Sequence, residues 1–180
     1  MAAIGSPKSI VLAAAGFVAV VALSAAALIA WLAIIDPFGG APHPTDAVML
    51  AQFAKVRPSL DSIVGMIAQD PAIERLAPDF TRPEPPPMSP ERLADYRERL
   101  EKAGIAHGFS RYGDTIEFIV STQGLSISGS GKSFVHTESA DPDATVIDGD
   151  LDVAAATPAG KDALLQRRID DHWWLQLDRR

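Results

Sequence analysis

The sequence contains no cysteine, which excludes a disulfide framework and metal sites built from thiolates. It also has no excess of basic residues: 16 lysines and arginines stand against 23 acids. Only Lys8 among the charged side chains precedes Asp36, so the remainder of the chain carries a net charge of −8. An acidic domain repels phosphate backbones and anionic lipid head groups. The composition therefore argues against nucleic acid as a partner.

Charge and proline are both missing from the stretch Ile10–Ile35, which contains a single serine. A helix of this length is about 39 Å long, more than the ~30 Å of a bilayer's hydrocarbon core. The stretch therefore predicts a transmembrane helix in contact with the lipid bilayer. Small residues recur along one face of this helix in steps of four and three: Ala15, Ala19, Ala22, Ala26 and Ala30. Such a face favours a homo-oligomer or a membrane-helix partner. The alternative is that alanine is simply abundant in this stretch.

The flanks of this stretch predict its orientation. Lys8 lies on its N-terminal side, whereas Asp36 comes first on the other side. The positive-inside rule then places the N-terminus in the cytoplasm and the acidic domain outside, as in a single-pass protein of the cell inner membrane. Because the apolar run continues nine residues past Ala26, we favour an uncleaved signal anchor over a cleaved signal peptide.

Composition divides the chain into five segments. Residues 1–9 form a short cytoplasmic tail and residues 10–35 the anchor. Residues 36–77 predict two short amphipathic helices, with Pro58 ending the first, that either pack on the following domain or form a stalk. Six prolines between Pro78 and Pro90 predict an extended linker over residues 78–88. Residues 89–180 form the extracytoplasmic domain.

The pattern of this last segment changes from a helical to a strand period. Ser89 and Pro90 open a helix with Leu93, Tyr96 and Leu100 on one face, and alternation with a period of two then recurs to the end of the chain. We expect an α+β domain in which the helix packs on a small antiparallel β-sheet of four to five strands. In the closing hairpin, Trp173 belongs to the buried face and Trp174 to the polar face.

The last third of the chain resembles a group of small exported bacterial domains of unknown function. The likeness rests on three short motifs: Gly131-Lys132-Ser133-Phe134, Leu151-Asp152, and a terminal hairpin from Arg168 through Ile169, Trp173 and Trp174 to Leu175. The group has no assigned activity, so the resemblance implies an exported α+β fold and no catalytic residue.

Candidate metal ligands occur in one segment, where five carboxylates stand within twelve residues: Asp141, Asp143, Asp148, Asp150 and Asp152. Oxygen ligands of this kind suit Ca²⁺, but an EF-hand loop would require glycine where Val146 or Val153 stands. A solvated acidic loop is the alternative. The Gly131-Lys132-Ser133 step resembles a phosphate-binding loop, but a strand follows it where a helix is required.

These observations favour a non-enzymatic protein that binds or scaffolds another envelope component, with no cofactor and no assigned catalytic residue. The protein partner is not indicated by the sequence. A hydrolase is the alternative, with a site joining an acid to His107, His136 or His172. A pilin-like assembly subunit shares the overall plan, but the glycine processing site of pilins is missing.

Overall fold

The structure is a computed structural model that describes residues 42–124 and 129–179, together with residues 21, 23–25 and 27. The chain divides into two compact units, Met1–Gly39 and Gly40–Arg180. All elements below belong to the second unit. Its helices are α1 (Asp46–Gln69), α2 (Pro90–Lys102) and α3 (Leu151–Ala155), followed by a 3₁₀ turn (Pro158–Gly160). Its strands are β1 (Arg75–Leu76), β2 (Thr81–Arg82), β3 (Phe109–Tyr112), β4 (Thr115–Gln123), β5 (Ser130–His136), β6 (Thr145–Val146), β7 (Leu164–Arg168) and β8 (Trp173–Asp178).

The strands form one mixed sheet in the order β2-β1-β3-β4-β5-β8-β7-β6. All neighbours pair antiparallel except β6 and β7, which run parallel. The α+β class is therefore correct, but the expected antiparallel sheet of four to five strands is wrong. Three of the eight strands, β1, β2 and β6, have two residues each. Such short strands carry no alternation that a pattern analysis detects.

Helix α1 is continuous through Pro58, so the expected pair of short helices is wrong. Thr45 caps its N-terminus by accepting a hydrogen bond from the backbone N–H of Val48. Proline removes one hydrogen bond from a helix interior. The burial of residues on both sides of Pro58 offsets the lost hydrogen bond, because Phe53 before it and Leu60 after it both lie in the core.

The hydrophobic core lies between the helices and one face of the sheet. Trp173 is 1% exposed and belongs to this core, as predicted. Its ring packs on Phe53 of α1 and Phe118 of β4, with centroids 5.3 and 5.7 Å apart. Its Nε1–H donates to Asp61 Oδ1 at 3.0 Å. Trp174 lies on the opposite face but is only 6% exposed, so that face is partly covered.

The expected division into a stalk, a linker and a separate domain does not match this arrangement. Residues 40–180 form one compact unit. Helix α1, in the predicted stalk, supplies Met49, Phe53 and Ile63 to the core. Strand β2 lies within the predicted proline-rich linker and pairs with β1. The proline-rich segment is thus part of the folded unit.

The predicted transmembrane helix requires correction. Of residues 10–35 the structure describes only 21, 23–25 and 27, and the alanine face lies wholly outside the described residues. No helix in the described part of the chain is both long enough and apolar enough to cross a bilayer. On this finding we withdraw the signal anchor, the inner-membrane location and the extracytoplasmic placement of the domain.

Candidate functional site

The two faces of the sheet differ in character. Directly opposed residues of an antiparallel pair share a face. Arg82, Arg75, Ser110 and Glu117 are successive partners across β2, β1, β3 and β4, so all four lie on one face. Ser133, Gln176 and Gln166 form a second row of partners across β5, β8 and β7. This face, which we call the open face, is opposite to the face that packs on the core.

Polar residues of the open face are joined by hydrogen bonds. Glu117 Oε1 accepts from Ser133 Oγ at 2.8 Å and from Gln176 Nε2 at 3.0 Å. Gln176 Oε1 accepts in turn from Gln166 Nε2 at 2.7 Å. Gln166 Oε1 accepts the backbone N–H of Asp141 at 2.9 Å. Each bond fixes a side chain in place, so the row is a preorganised polar surface.

One cavity on the open face, of about 610 Å³, is lined by three arginines. We call it the arginine pocket and define it by Arg75, Arg82, Arg111, Phe80 and Tyr112, with Glu74 as the single carboxylate of its described lining. Phe80 is 43% exposed and Tyr112 68% exposed. Cavities of this size are typical of small-molecule sites.

The arginines of this pocket lack carboxylate partners. None of the three forms an ion pair with another described residue, whereas Arg57, Arg92, Arg99, Arg167 and Arg168 all do. Arg75 is held by neutral acceptors instead: Nη1 donates to Ser110 Oγ and Nη2 to the carbonyl of His107, both at 3.0 Å. Arg111 Nη1 donates to the carbonyl of Pro71, also at 3.0 Å.

Two further features of Arg75 bear on its chemistry. Its guanidinium lies 5.8 Å from the centre of the Phe80 ring, within range of a cation–π contact. Burial lowers the pKa of Arg75, and the charges of Glu117 and Tyr112 oppose this change. Arginine nevertheless stays protonated in proteins, so the pocket is positively charged.

A second cavity of about 380 Å³ adjoins the first, since Tyr112 lines both. We call it the Glu117 pocket. Its described lining contains three carboxylates and no lysine, arginine or histidine: Glu117, Asp141 and Asp178, with Gln166, Gln176, Thr115, Thr137 and Tyr112 among the remaining residues. Burial raises the pKa of Glu117, and Asp178 adds to the rise, while Ser133, Arg75 and Gln176 lower it.

The five aspartates expected as metal ligands are not brought together as a set. Asp150 caps helix α3, accepting the backbone N–H groups of Asp152 and Val153. Carboxylate oxygens of Asp150, Asp152 and Asp46 lie within 4.8 Å of one another. Asp141, Asp143 and Asp148 do not belong to this cluster.

A lysine provides the positive charge beside this cluster. Lys132, in the sequence step that resembled a phosphate loop, is 0% exposed. Its Nζ lies 2.6 Å from Asp152 Oδ1 and 2.7 Å from Asp46 Oδ1, and it donates to the carbonyl of Pro44 at 3.0 Å. The contact with Asp46 has the distance of an ion pair without the alignment of a hydrogen bond. This network accounts for Asp46 and Asp152 without a metal.

Among the described residues, His43 lies between two serine hydroxyls. His43 Nδ1 lies 2.7 Å from Ser121 Oγ and Nε2 lies 2.8 Å from Ser130 Oγ. Burial, followed by the charge of Lys132, lowers the pKa of His43. Since hydroxyls occupy both ring nitrogens, none is left for the carboxylate that orients the base in a Ser-His-Asp triad.

The histidines proposed for the hydrolase alternative lie elsewhere. The rings of His136 and His172 are 6.0 Å apart, and His136 packs edge-on against Trp173. Burial lowers the pKa of His136, and the neighbouring His172 lowers it further. Neither residue, nor His107, lines either pocket of the open face.

Comparison with known proteins adds no relative: no family model, no curated protein and no solved structure matches this chain. The resemblance to small exported domains therefore stays a prediction.

The residues of the arginine pocket were not identified from the sequence. One signal was present, since Phe80 and Arg82 stand two positions apart and Arg111 directly precedes Tyr112.

Proposed function

We propose that the protein is a non-enzymatic binding protein whose arginine pocket takes the anionic group of its ligand. The proposal rests on one observation: in a chain of net charge −7, three arginines without a carboxylate partner among the described residues line one pocket. Arg75 and Arg111 each already donate two hydrogen bonds to neutral acceptors, so the unused guanidinium fork that matches a carboxylate or a phosphate is that of Arg82.

The surroundings of the arginines favour binding over a purely structural role. Ser110 and the carbonyl of His107 hold Arg75 in one orientation, so less conformational freedom is lost when an anion binds. Arg82 is exposed and accessible to a ligand. Phe80 and Tyr112 offer apolar surface next to the charges, which suits a ligand with an apolar part beside its anionic group.

Binding is also favoured over hydrolysis by the composition of the pocket. Its described lining contains no histidine and no lysine, and the one serine in it, Ser110, accepts a hydrogen bond from Arg75. A hydrolytic site requires a nucleophile beside a general base. The arginines by themselves orient an anion and neutralise its charge, which is the chemistry of a binding site.

The test is a titration of the full-length protein with sodium acetate and, separately, with sodium phosphate, followed by NMR at constant ionic strength. We expect the arginine Nε–H and Tyr112 signals to shift with at least one anion. Arg82→Gln should weaken binding about tenfold, the effect of losing one hydrogen bond to a charged group.

The matched control is Arg97→Gln. Arg97 is an exposed arginine on α2 that lacks an ion pair with any described residue, and it lies outside the arginine pocket. This variant removes the same charge and should leave the affinity within about twofold. Equal weakening in both variants, or no shift with either anion, would contradict the proposal.

A further inference from the structure

The two pockets of the open face have opposite charge. The described lining of the arginine pocket contains three arginines and a single carboxylate, that of Glu74. The described lining of the Glu117 pocket contains three carboxylates and no basic side chain. Tyr112 forms part of both walls, so a positively charged pocket and a negatively charged pocket lie on either side of this residue.

The opposite charges of the two pockets favour a ligand that carries both an anionic and a cationic group. A second anionic group would be repelled by Glu117 and Asp141, whereas a cationic group would be attracted. Thr115 and Thr137 offer hydroxyls in the same pocket, and their Oγ1 atoms are 3.2 Å apart. An ammonium group requires several oxygen acceptors around it, and this lining provides them.

The spacing of the strands sets the distance between the two charges of the ligand. The guanidinium of Arg75 lies against Ser110 of β3 and the carboxylate of Glu117 against Ser133 of β5, so the two charged groups are separated by two strand spacings. Two spacings amount to about 10 Å between backbones. The ammonium and carboxylate of one α-amino acid sit on the same carbon and are too close to bridge this distance. The ends of an extended di- or tripeptide, at 3.3–3.6 Å per residue, are roughly 7 to 10 Å apart.

We propose that the ligand is a short zwitterionic peptide of two or three residues. Its carboxylate binds the arginine pocket, its amino terminus binds the Glu117 pocket, and its backbone lies past Tyr112. This inference rests on the proposed function for the carboxylate end and adds the Glu117 pocket as the site of the ammonium group.

The test uses four probes on the full-length protein by isothermal titration calorimetry. They are tri-L-alanine, N-acetyl-tri-L-alanine, which lacks the ammonium group, tri-L-alanine amide, which lacks the carboxylate, and L-alanine. We expect tri-L-alanine to bind most tightly and the other three about tenfold more weakly or worse, since each loses one charged end or the span.

Two variants locate the ammonium group. Glu117→Gln retains an oxygen to accept from Ser133 and Gln176, and Asp141→Asn changes an exposed residue whose Oδ1 accepts only the nearby N–H of Asp143. Both should weaken tri-L-alanine about tenfold and leave N-acetyl-tri-L-alanine unchanged. Asp148→Asn, an exposed aspartate outside the pocket, is the matched control and should change neither affinity.

The outcomes separate this inference from the proposed function. If N-acetyl-tri-L-alanine binds as tightly as tri-L-alanine while Arg82→Gln weakens both, the peptide inference is wrong and the arginine pocket stands. If tri-L-alanine amide binds as tightly as tri-L-alanine and Arg82→Gln has no effect, the anion-binding function is wrong as well. Failure of all four probes to bind contradicts the peptide inference, whereas the acetate and phosphate titrations decide the anion-binding function separately.

Discussion

Replacing Lys132 by methionine should destabilise the protein strongly. The Lys132 side chain is 0% exposed, and it neutralises Asp46, which is 1% exposed. Methionine is similar in length, so the variant removes the charge and leaves little cavity. The cost then comes from the buried carboxylate that loses its partner. Breaking a buried ion pair in this way costs about 3–5 kcal/mol.

Two contacts reduce the free-energy cost of leaving Asp46 without its lysine partner. Asp46 Oδ2 keeps the hydrogen bond from the backbone N–H of Leu151 at 2.8 Å, and Arg167 Nη1 lies 3.5 Å from the same oxygen. Asp152 has 37% of its side chain exposed and is solvated when Lys132 is removed. We therefore expect a loss of about 3 kcal/mol, the lower end of the range for a broken buried pair. That is a large part of the 5–15 kcal/mol typical of a native domain.

The measurement is urea unfolding of the full-length protein followed by tryptophan fluorescence and circular dichroism. Lys102→Met is the control, because Lys102 forms an exposed ion pair with Glu98 on α2 and should cost under about 0.5 kcal/mol. Adding Asp46→Asn to Lys132→Met should cost less than the sum of the single changes. A loss below about 1 kcal/mol for Lys132→Met would refute the assignment of a desolvated ion pair.

Two further predictions concern the tryptophans and the buried glutamate. Trp173→Phe should cost more free energy of unfolding than Trp174→Phe. Trp173 Nε1–H donates to Asp61, whereas Trp174 Nε1 is buried without a partner among the described residues, and equal costs would contradict this. For Glu117, whose pKa is raised by burial and by Asp178, the folded protein keeps a proton that the unfolded chain releases. This contribution to stability is complete below the ordinary pKa of 4.5 and is lost as the pH rises through the raised value. Wild-type stability measured relative to Glu117→Gln should therefore fall as the pH rises above about 4.5, and a constant difference would count against the assignment.

Elements with local signals were predictable from the sequence. Ser89 as N-cap and Pro90 in the first turn located the start of α2, which spans Pro90–Lys102. The alternation around Trp173 located β8, and the buried face of that strand was assigned correctly. In both cases the determining contacts are within one turn or one strand pair, so a pattern of a few residues suffices.

Elements that depend on distant contacts were not predictable. Pro58 ordinarily ends a helix, and only the burial of Phe53 and Leu60 against the sheet explains why α1 continues. The two-residue strands β1 and β2 exist because β3 provides a neighbour for them, with Arg75 opposite Ser110 and Leu76 opposite Phe109. Nothing in a two-residue segment indicates its pairing.

The candidate site depends on the same long-range pairing. Arg75, Arg82, Ser110 and Glu117 are spread over more than forty positions and meet only through the register of four strands. The sequence drew attention to Lys132 for its resemblance to a phosphate loop, whereas the structure uses it as a buried counter-charge. The chemical type of a residue was readable from the sequence, but its partner was not, and the partner decides its role.

The net charge of the chain and the local charge of the arginine pocket therefore predict different properties of a partner. The excess of acids governs the field far from the surface, and on that scale a long polyanion such as nucleic acid is repelled. Within a Debye length of about 8 Å, the sign depends on which charges are already paired. Asp70, Asp95 and Asp170 pair with arginines outside the arginine pocket. The arginines left unpaired among the described residues then include Arg75 and Arg82, so an acidic protein presents a cationic pocket to a single small anion.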